Sequence, residues 1–288
     1  MNPSGIRAPH LAIGSWLLVI PGGFFLFAFF LWPVAEVAIR SVTDPSVGLE
    51  NYQSVATSLV APHSFFVTLQ ISLIVTIICV ALGYPLAYMI TIAPPRVAGL
   101  LLALTLVSLF LSQVARTFAW EVILRDTGII NNALIGLGLI SEPLPLIRNS
   151  IGVTIGMTNV LLPTMVLPIY VVMQRIDPEV GLAAASLGAS PRRSFLRVFL
   201  PLSMPGIMAG CLLVFMLALG FYVTPSLLGG GTFVMVGELV VTQFHHLQWG
   251  FGSALAMVLL IIVAIVLVVA VRLVGIESMF GLASDDSE

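Results

Sequence analysis

Long apolar runs alternate with short polar segments along most of the chain. Each run approaches or exceeds the roughly 20 apolar residues that a helix needs to cross a bilayer. We predict six spans, at Leu11–Ile39, Phe65–Ile92, Val97–Ala119, Ile151–Met173, Pro205–Leu228 and Phe251–Val274. The pattern therefore predicts an all-α membrane protein with six transmembrane helices.

Composition supports this prediction and excludes several functions. The chain has 288 residues, of which 59% are hydrophobic and 8% charged, whereas soluble domains contain about 25% charged residues. All eleven basic residues are arginine. A Walker A nucleotide site needs a lysine to reach the phosphates, so the chain has no such ATP site. A net charge of −2 gives no indication of nucleic-acid binding.

Arginine positions predict the orientation in the membrane, because cytoplasmic loops carry more positive charge. With the N-terminus inside, seven arginines face the cytoplasm and four face outward. The inside set is Arg7, Arg96, Arg175, Arg192, Arg193, Arg197 and Arg272, and the outside set is Arg40, Arg116, Arg125 and Arg148. We therefore expect both termini in the cytoplasm, with the chain in the inner membrane of a bacterium.

The spans suggest a simple division of the chain. We predict a cytoplasmic tail at 1–10, a first span with its periplasmic loop at 11–63, a transmembrane core at 64–275, and an acidic cytoplasmic tail at 276–288. A polar loop at 175–204 interrupts the core on the cytoplasmic side.

This loop contains signals for a short helix that ends sharply. Asp177 can cap the first N–H groups, Pro178 suits the first helical position, and Glu179 lies in the positive field of the helix start. Gly188 is placed to end the helix in the left-handed conformation. Ser190 and the proline after it repeat the start signal for a second helix.

The face of this helix is made mostly of small residues. Val180, Ala183, Ala184 and Leu187 share it by the three-four spacing. Another protein surface could approach such a face closely, so we expect it to dock on a partner. The alternative is an interfacial helix that rests on lipid headgroups, but such helices usually carry large apolar and basic faces.

At this point the chain resembles the binding-protein-dependent ABC transporter permeases, which share an EAA loop. The EAA pattern begins with Ala-Ala, three residues and Gly. After nine more residues it ends with an aliphatic residue, any residue and Leu-Pro. In this chain these positions are Ala183-Ala184, Gly188, Val198 and Leu200-Pro201. The segments "RTFAWEVILRDTGIINNAL" and "VTPSLLGGG" resemble the spermidine/putrescine type. The likeness covers roughly Ser64 to Ala270.

The chain departs from the family pattern at two places. The leading Glu of the EAA loop falls on Leu182, although Glu179 lies one turn earlier. The family segment "GEFVTP" reads "GFYVTP" here, so Phe221 and Tyr222 stand where many members carry a carboxylate. An aromatic pair can hold a cation over its faces.

The resemblance implies a type I ABC importer permease fold and a set of partners. These are an ABC ATPase dimer that binds ATP and Mg²⁺, a second homologous permease, a periplasmic solute-binding protein and membrane lipid. No cofactor is expected in this chain. The implied coupling helix, which would sit on the ATPase, comprises Asp177, Pro178, Glu179, Leu182, Ala183, Ala184, Leu187, Gly188, Ala189 and Ser190.

The solute path is expected among polar and aromatic residues near the span ends. Polar side chains within a membrane need partners or a water-filled cavity. The candidates are Trp120, Glu121, Asp126, Asn159, Tyr170, Phe221, Tyr222, Thr224 and Glu238. Any of these aromatic residues could instead be an interface anchor.

The predicted function is uptake of a small organic solute of the polyamine type. Other solutes stay open, including amino acids or opines, aminophosphonates and thiamine-like compounds. An ion-coupled transporter normally needs ionisable residues within its spans, and the centres of spans two, four, five and six have none. A channel would not need the EAA loop. A membrane enzyme would need catalytic side chains, and no predicted span of this chain contains a Ser–His pair or metal-ligand spacing.

Overall fold

The computed structural model describes residues 13–231 and 233–274, and every regular element in this part of the chain is helical. The predicted tails at 1–10 and 276–288, like Leu11 at the start of the first span, lie outside the described residues. The elements, in order, are α1 (Ile13–Leu26), a π-helical turn (Phe27–Leu31), α2 (Trp32–Thr43), α3 (Glu50–Thr57), α4 (Val60–Ile92), α5 (Pro95–Phe110), α6 (Gln113–Leu124), α7 (Ile129–Gly136), α8 (Ser150–Met173), α9 (Pro178–Ser186), α10 (Pro191–Ser194), a second π-helical turn (Phe195–Phe199), α11 (Leu200–Leu219), α12 (Val223–Leu228), α13 (Val236–His245) and α14 (Trp249–Val274).

The described residues include five helices long and apolar enough to cross a membrane, and a bent helix pair brings the count to six. This confirms an all-α architecture of six spans. The second, fourth and sixth spans follow their predicted bounds within a few residues, as α4, α8 and α14.

The third predicted span, Val97–Ala119, is wrong as a single straight helix. α5 ends at Phe110, and the chain turns by 100° before the segment Gln113–Gly136. Leu111 and Ser112 are extended, and the Ser112 side chain accepts a hydrogen bond from the Ala115 N–H. This serine starts a new helix where hydropathy alone predicts a continuation.

The fifth predicted span, Pro205–Leu228, is wrong at both ends. The helix begins at Pro191 and runs through to Leu219, so the predicted second cytoplasmic helix is its lower end. At the upper end the chain leaves the helix at Gly220 and resumes in α12. Pro225 has no N–H for the carbonyl of Phe221, and its ring would clash with that carbonyl in a continuous helix.

Three helices, α4, α8 and α11, form the main apolar core. Val75, Met157, Met165 and Val214 are fully buried within it. A second core, which includes Val55, Leu239 and Leu255, joins α3, α13 and α14. Hydrogen bonds between helices add to this packing, such as the one between the hydroxyls of Tyr84 and Ser203 at 3.1 Å.

Glycines let α11 lie directly on α8. A Cβ atom added at Gly206 would come within 2.9 Å of the Ile169 Cα, and one at Gly210 would come within 2.7 Å of the Met165 Sδ. Small residues four apart are a common way for membrane helices to approach closely, since lipid provides no hydrophobic drive between them.

We predict that Gly206→Val destabilises this contact by about 1–3 kcal/mol, the usual cost of overpacking a tight core. The melting temperature of the purified protein in detergent should fall. Gly99→Ala on α5 is the matched control, because nothing lies within 4 Å of the added Cβ. Equal melting temperatures for the wild type and Gly206→Val would contradict the close contact.

Candidate functional site

Both ends of α9 are closed by local hydrogen bonds. The Asp177 carboxylate accepts a hydrogen bond from the Glu179 N–H at 2.8 Å, with Pro178 at the first helical position. At the other end Gly188 has φ +81°. Its N–H donates to Ala185 O at 2.9 Å, and the Ala189 N–H donates to Ala184 O at 3.0 Å. This pair of bonds is a Schellman motif, so the predicted start, end and left-handed glycine are confirmed.

The two sides of α9 face different surroundings. Leu182 and Leu187 are 68% and 89% exposed, and Ala183 is exposed beside them. The predicted face is therefore divided, because Val180 lines a cavity of about 550 Å³ beneath the helix while Leu187 points away from the protein. The cavity is also lined by Tyr88 of α4.

The lower end of the fifth span follows α9 after a short turn. Ser190 precedes the helix that starts at Pro191, but its side chain makes no capping hydrogen bond. From there one helix of 29 residues reaches Leu219, a length of about 43 Å at 1.5 Å per residue. One long helix therefore connects the turn after α9 with the break at Gly220.

The far end of that helix is the break at Gly220–Tyr222. α12 follows and lies against α8, where a Cβ added at Gly156 would come within 2.7 Å of the Thr224 side chain. Thr224 is buried, and its hydroxyl shares a hydrogen bond of 3.2 Å with that of Thr117 on α6. This hydrogen bond joins the segment after the fifth-span break to the second half of the bent third span.

Several predicted path residues gather around this break. Phe221 and Trp120 are partly buried against the main core, whereas Tyr222 is 46% exposed. Glu238 lies in the first turn of α13 and is half-buried. Its Oε2 atom is buried and has no hydrogen-bond partner among the described residues. Burial raises the pKa of this carboxyl group.

The other predicted path residues lie apart from the break. Glu121 accepts a hydrogen bond from Arg125 at 2.7 Å, and Asp126 is exposed in the following loop. Tyr170 is near the opposite end of α8, where its hydroxyl accepts a hydrogen bond from Gln174. Asn159, near the middle of α8, lines a cavity of about 280 Å³.

The sequence analysis missed two polar neighbours of Asn159 and the arginine that bonds one of them. Thr105 and Ser108 of α5 line the same cavity, and Arg116 of α6 donates a hydrogen bond of 3.3 Å to the Ser108 hydroxyl. Threonine and serine three residues apart in an apolar span give a weak signal of a polar face. The approach of Arg116 depends on the 100° bend, which the apolar pattern does not show.

Comparisons with known proteins agree with this architecture. Residues 146–275 match the family described as "Binding-protein-dependent transport system inner membrane component". The spermidine/putrescine transport system permease protein PotB of Haemophilus influenzae is 37% identical over 227 residues, covering 78% of this chain and 79% of that protein. PotB of Escherichia coli is 36% identical to this chain over 225 residues, which cover 77% of this chain and 80% of that protein.

A solved structure shows the same fold at much lower identity. In the bacterial alginate ABC transporter, determined in complex with an alginate-bound periplasmic protein, one chain is 15% identical and superposes with a TM-score of 0.75. The superposition covers 91% of this chain and 93% of the other. The shared fold is that of a type I ABC importer permease.

The six spans, the broken fifth helix and the short capped helix between spans four and five define a membrane subunit of an ABC transporter. The chain belongs to the family of binding-protein-dependent inner membrane permeases. It is a multi-pass inner membrane protein whose family performs transport.

We predict that Gly188→Val weakens the end of α9, since a β-branched residue is strained at positive φ by about 1–2 kcal/mol. Uptake by the assembled transporter should fall, while ATP hydrolysis continues without transport. Gly181→Ala is the control within the same helix, because the added Cβ has nothing within 4 Å and alanine favours a helix. Normal uptake in Gly188→Val would contradict a coupling role for this helix end.

Proposed function

We propose that this chain is one of two permeases in an ATP-driven importer of polyamine-like cations, and that α9 couples it to the ATPase. The observation that best supports docking of α9 is the exposure of Leu182 and Leu187 on a short helix whose two ends are closed by hydrogen bonds. Such leucines are costly to leave in water, and a rigid helix loses little conformational entropy on docking.

The remaining partners follow from the surfaces of the chain and from its family. ATP and Mg²⁺ bind to the ATPase dimer, because this chain has no Walker A lysine. A second, homologous permease completes the path, and a periplasmic binding protein delivers the solute. Lipid covers exposed apolar residues such as Phe24 and Phe29, which are 68% and 69% exposed. Both termini face the cytoplasm by the arginine distribution.

The proposed solute class rests on the two spermidine/putrescine permeases and on the local chemistry. Their identities of 37% and 36% extend over most of the chain. In addition, the half-buried Glu238 and the exposed Tyr222 lie on elements that meet at the break in the fifth span. A carboxylate and an aromatic ring both favour an organic cation.

The direct test is uptake by the purified permeases, ATPase and binding protein in liposomes. We expect ATP-dependent accumulation of labelled putrescine or spermidine, with excess unlabelled polyamine competing. The alternative solutes, such as an aminophosphonate or thiamine, should compete weakly. Uptake of one of these in place of polyamines would replace the proposed solute and leave the importer class intact.

The docking role of α9 has a separate test. Leu187→Asp places a charge on the most exposed leucine of the helix, so binding of the purified ATPase should weaken at least about tenfold. Leu139→Asp is the matched control, since Leu139 is 68% exposed on the loop between α7 and α8. ATPase affinity unchanged by Leu187→Asp and lowered by Leu139→Asp would place the interface elsewhere.

A further inference from the structure

The first turns of the long fifth helix have two different faces. The rings of Phe195 and Phe199 stack with 5.9 Å between their centroids, and the Tyr88 ring of α4 meets them edge-on at 5.4 and 5.3 Å. This aromatic packing fixes the rotation of the helix end. On the other face Leu196 is 47% exposed and Arg197 is exposed beside it.

The exposed face carries a basic pocket, which we call the arginine pocket. Arg192, Arg193 and Arg197 line this cavity of about 250 Å³ together with Ser190 and Leu196. The described part of the chain contains two ion pairs, and neither includes these arginines. Guanidinium groups that share a pocket repel one another, and a phosphate group would offset that repulsion through paired N–H···O hydrogen bonds. The arginine pocket therefore suits a ligand that carries phosphate.

The same helix borders an apolar groove deeper in the membrane domain. The groove has a volume of about 700 Å³ and lies between α11, α4 and α14. Its lining is apolar apart from one cysteine and one threonine, and the threonine hydroxyl already donates to a carbonyl of its own helix. The lining includes Met208 and Phe215 of α11 and Ile77 and Ala81 of α4. Such a groove favours a hydrocarbon chain over a polar solute.

One side of the helix connects the arginine pocket with the groove. Pro201, Met204 and Met208 follow Arg197 at intervals of four, three and four residues, which places them on one side of a helix. Met204 is 43% exposed, so this side is open between the two features. The rise from Arg197 to Met208 is about 16 Å at 1.5 Å per residue, close to the roughly 15 Å of hydrocarbon in one leaflet.

We propose that this side of the fifth helix binds an anionic phospholipid, with the phosphate in the arginine pocket and an acyl chain in the groove beside Met208. A neutral lipid would leave the arginines without a counter-charge, and a soluble anion would leave the groove unused. The bound lipid stabilises the helix end that follows α9. The site rests on the proposed function for one point, the placement of this helix end at the cytoplasmic surface.

The test measures lipid binding to the complete transporter purified in a neutral detergent. Dioleoylphosphatidylglycerol should raise the melting temperature, and dioleoylphosphatidylcholine, which has no net charge, should not. In the double variant Arg193→Gln with Arg197→Gln, the lipid concentration that gives half of the shift should rise about 10- to 30-fold. The matched control is Arg96→Gln with Arg175→Gln, two exposed arginines that do not line the pocket.

A second variant tests the acyl chain without changing any charge. Ala81 is exposed in the groove, so Ala81→Phe fills part of its volume and should weaken phosphatidylglycerol binding several-fold. Leu69→Phe is the control, because Leu69 is exposed on the same helix and does not line the groove. Glycerol 3-phosphate, which lacks acyl chains, should give no shift. An equal shift with this compound would overturn the lipid site in favour of a soluble anion.

The outcomes separate this site from other uses of the same surface. Equal phosphatidylglycerol binding by the wild type and the double arginine variant would overturn the proposal. Normal lipid binding with lowered affinity for the ATPase would also overturn it, since the arginine pocket would then belong to the ATPase interface. These measurements need no transport. Charge-dependent lipid binding without polyamine uptake would leave the lipid site standing and refute the proposed solute, and the reverse result would do the opposite.

Discussion

The contact between α11 and α8 at Gly206 and Gly210 is the constraint on which the rest of the structure depends. The two helices approach so closely that an added Cβ would meet the backbone near Ile169 or the side chain of Met165. Because lipid gives no hydrophobic drive for helix association, close packing must supply the attraction. This contact fixes the position of the long fifth helix, which has α9 before one end and the break at the other.

Each end of the fifth helix is determined by a particular residue. At the lower end, Gly188 adopts φ +81° and turns the chain from α9 toward Pro191. At the upper end the helix stops before Gly220, and Pro225 leaves the Phe221 carbonyl without a helical N–H donor. A membrane interior tolerates irregular backbone only where protein or water satisfies it. The sequence therefore places two interruptions where a protein partner and a solute are proposed to bind.

The sequence predicts the spans and the loop more reliably than it predicts the interior of the domain. The apolar runs set the helices, and Asp177 and Gly188 set the bounds of α9, because these signals act over a few neighbouring residues. The bend after Phe110 was missed, since one serine and one glutamine only briefly interrupt the apolar run, and the cap made by Ser112 is a short-range signal. Pro225 could have indicated the fifth-span break, but prolines are common in membrane helices.

The grouping of candidate residues could not be predicted, because it depends on contacts between distant elements. Glu238 is separated from Phe221 by only 17 positions, yet its place beside the break depends on Gly237 and on the bond from Val236 to Thr68. Asn159 shares a cavity with Ser108 of α5, and the bend of the third span brings Arg116 to the same serine. No periodic pattern in the sequence connects such residues.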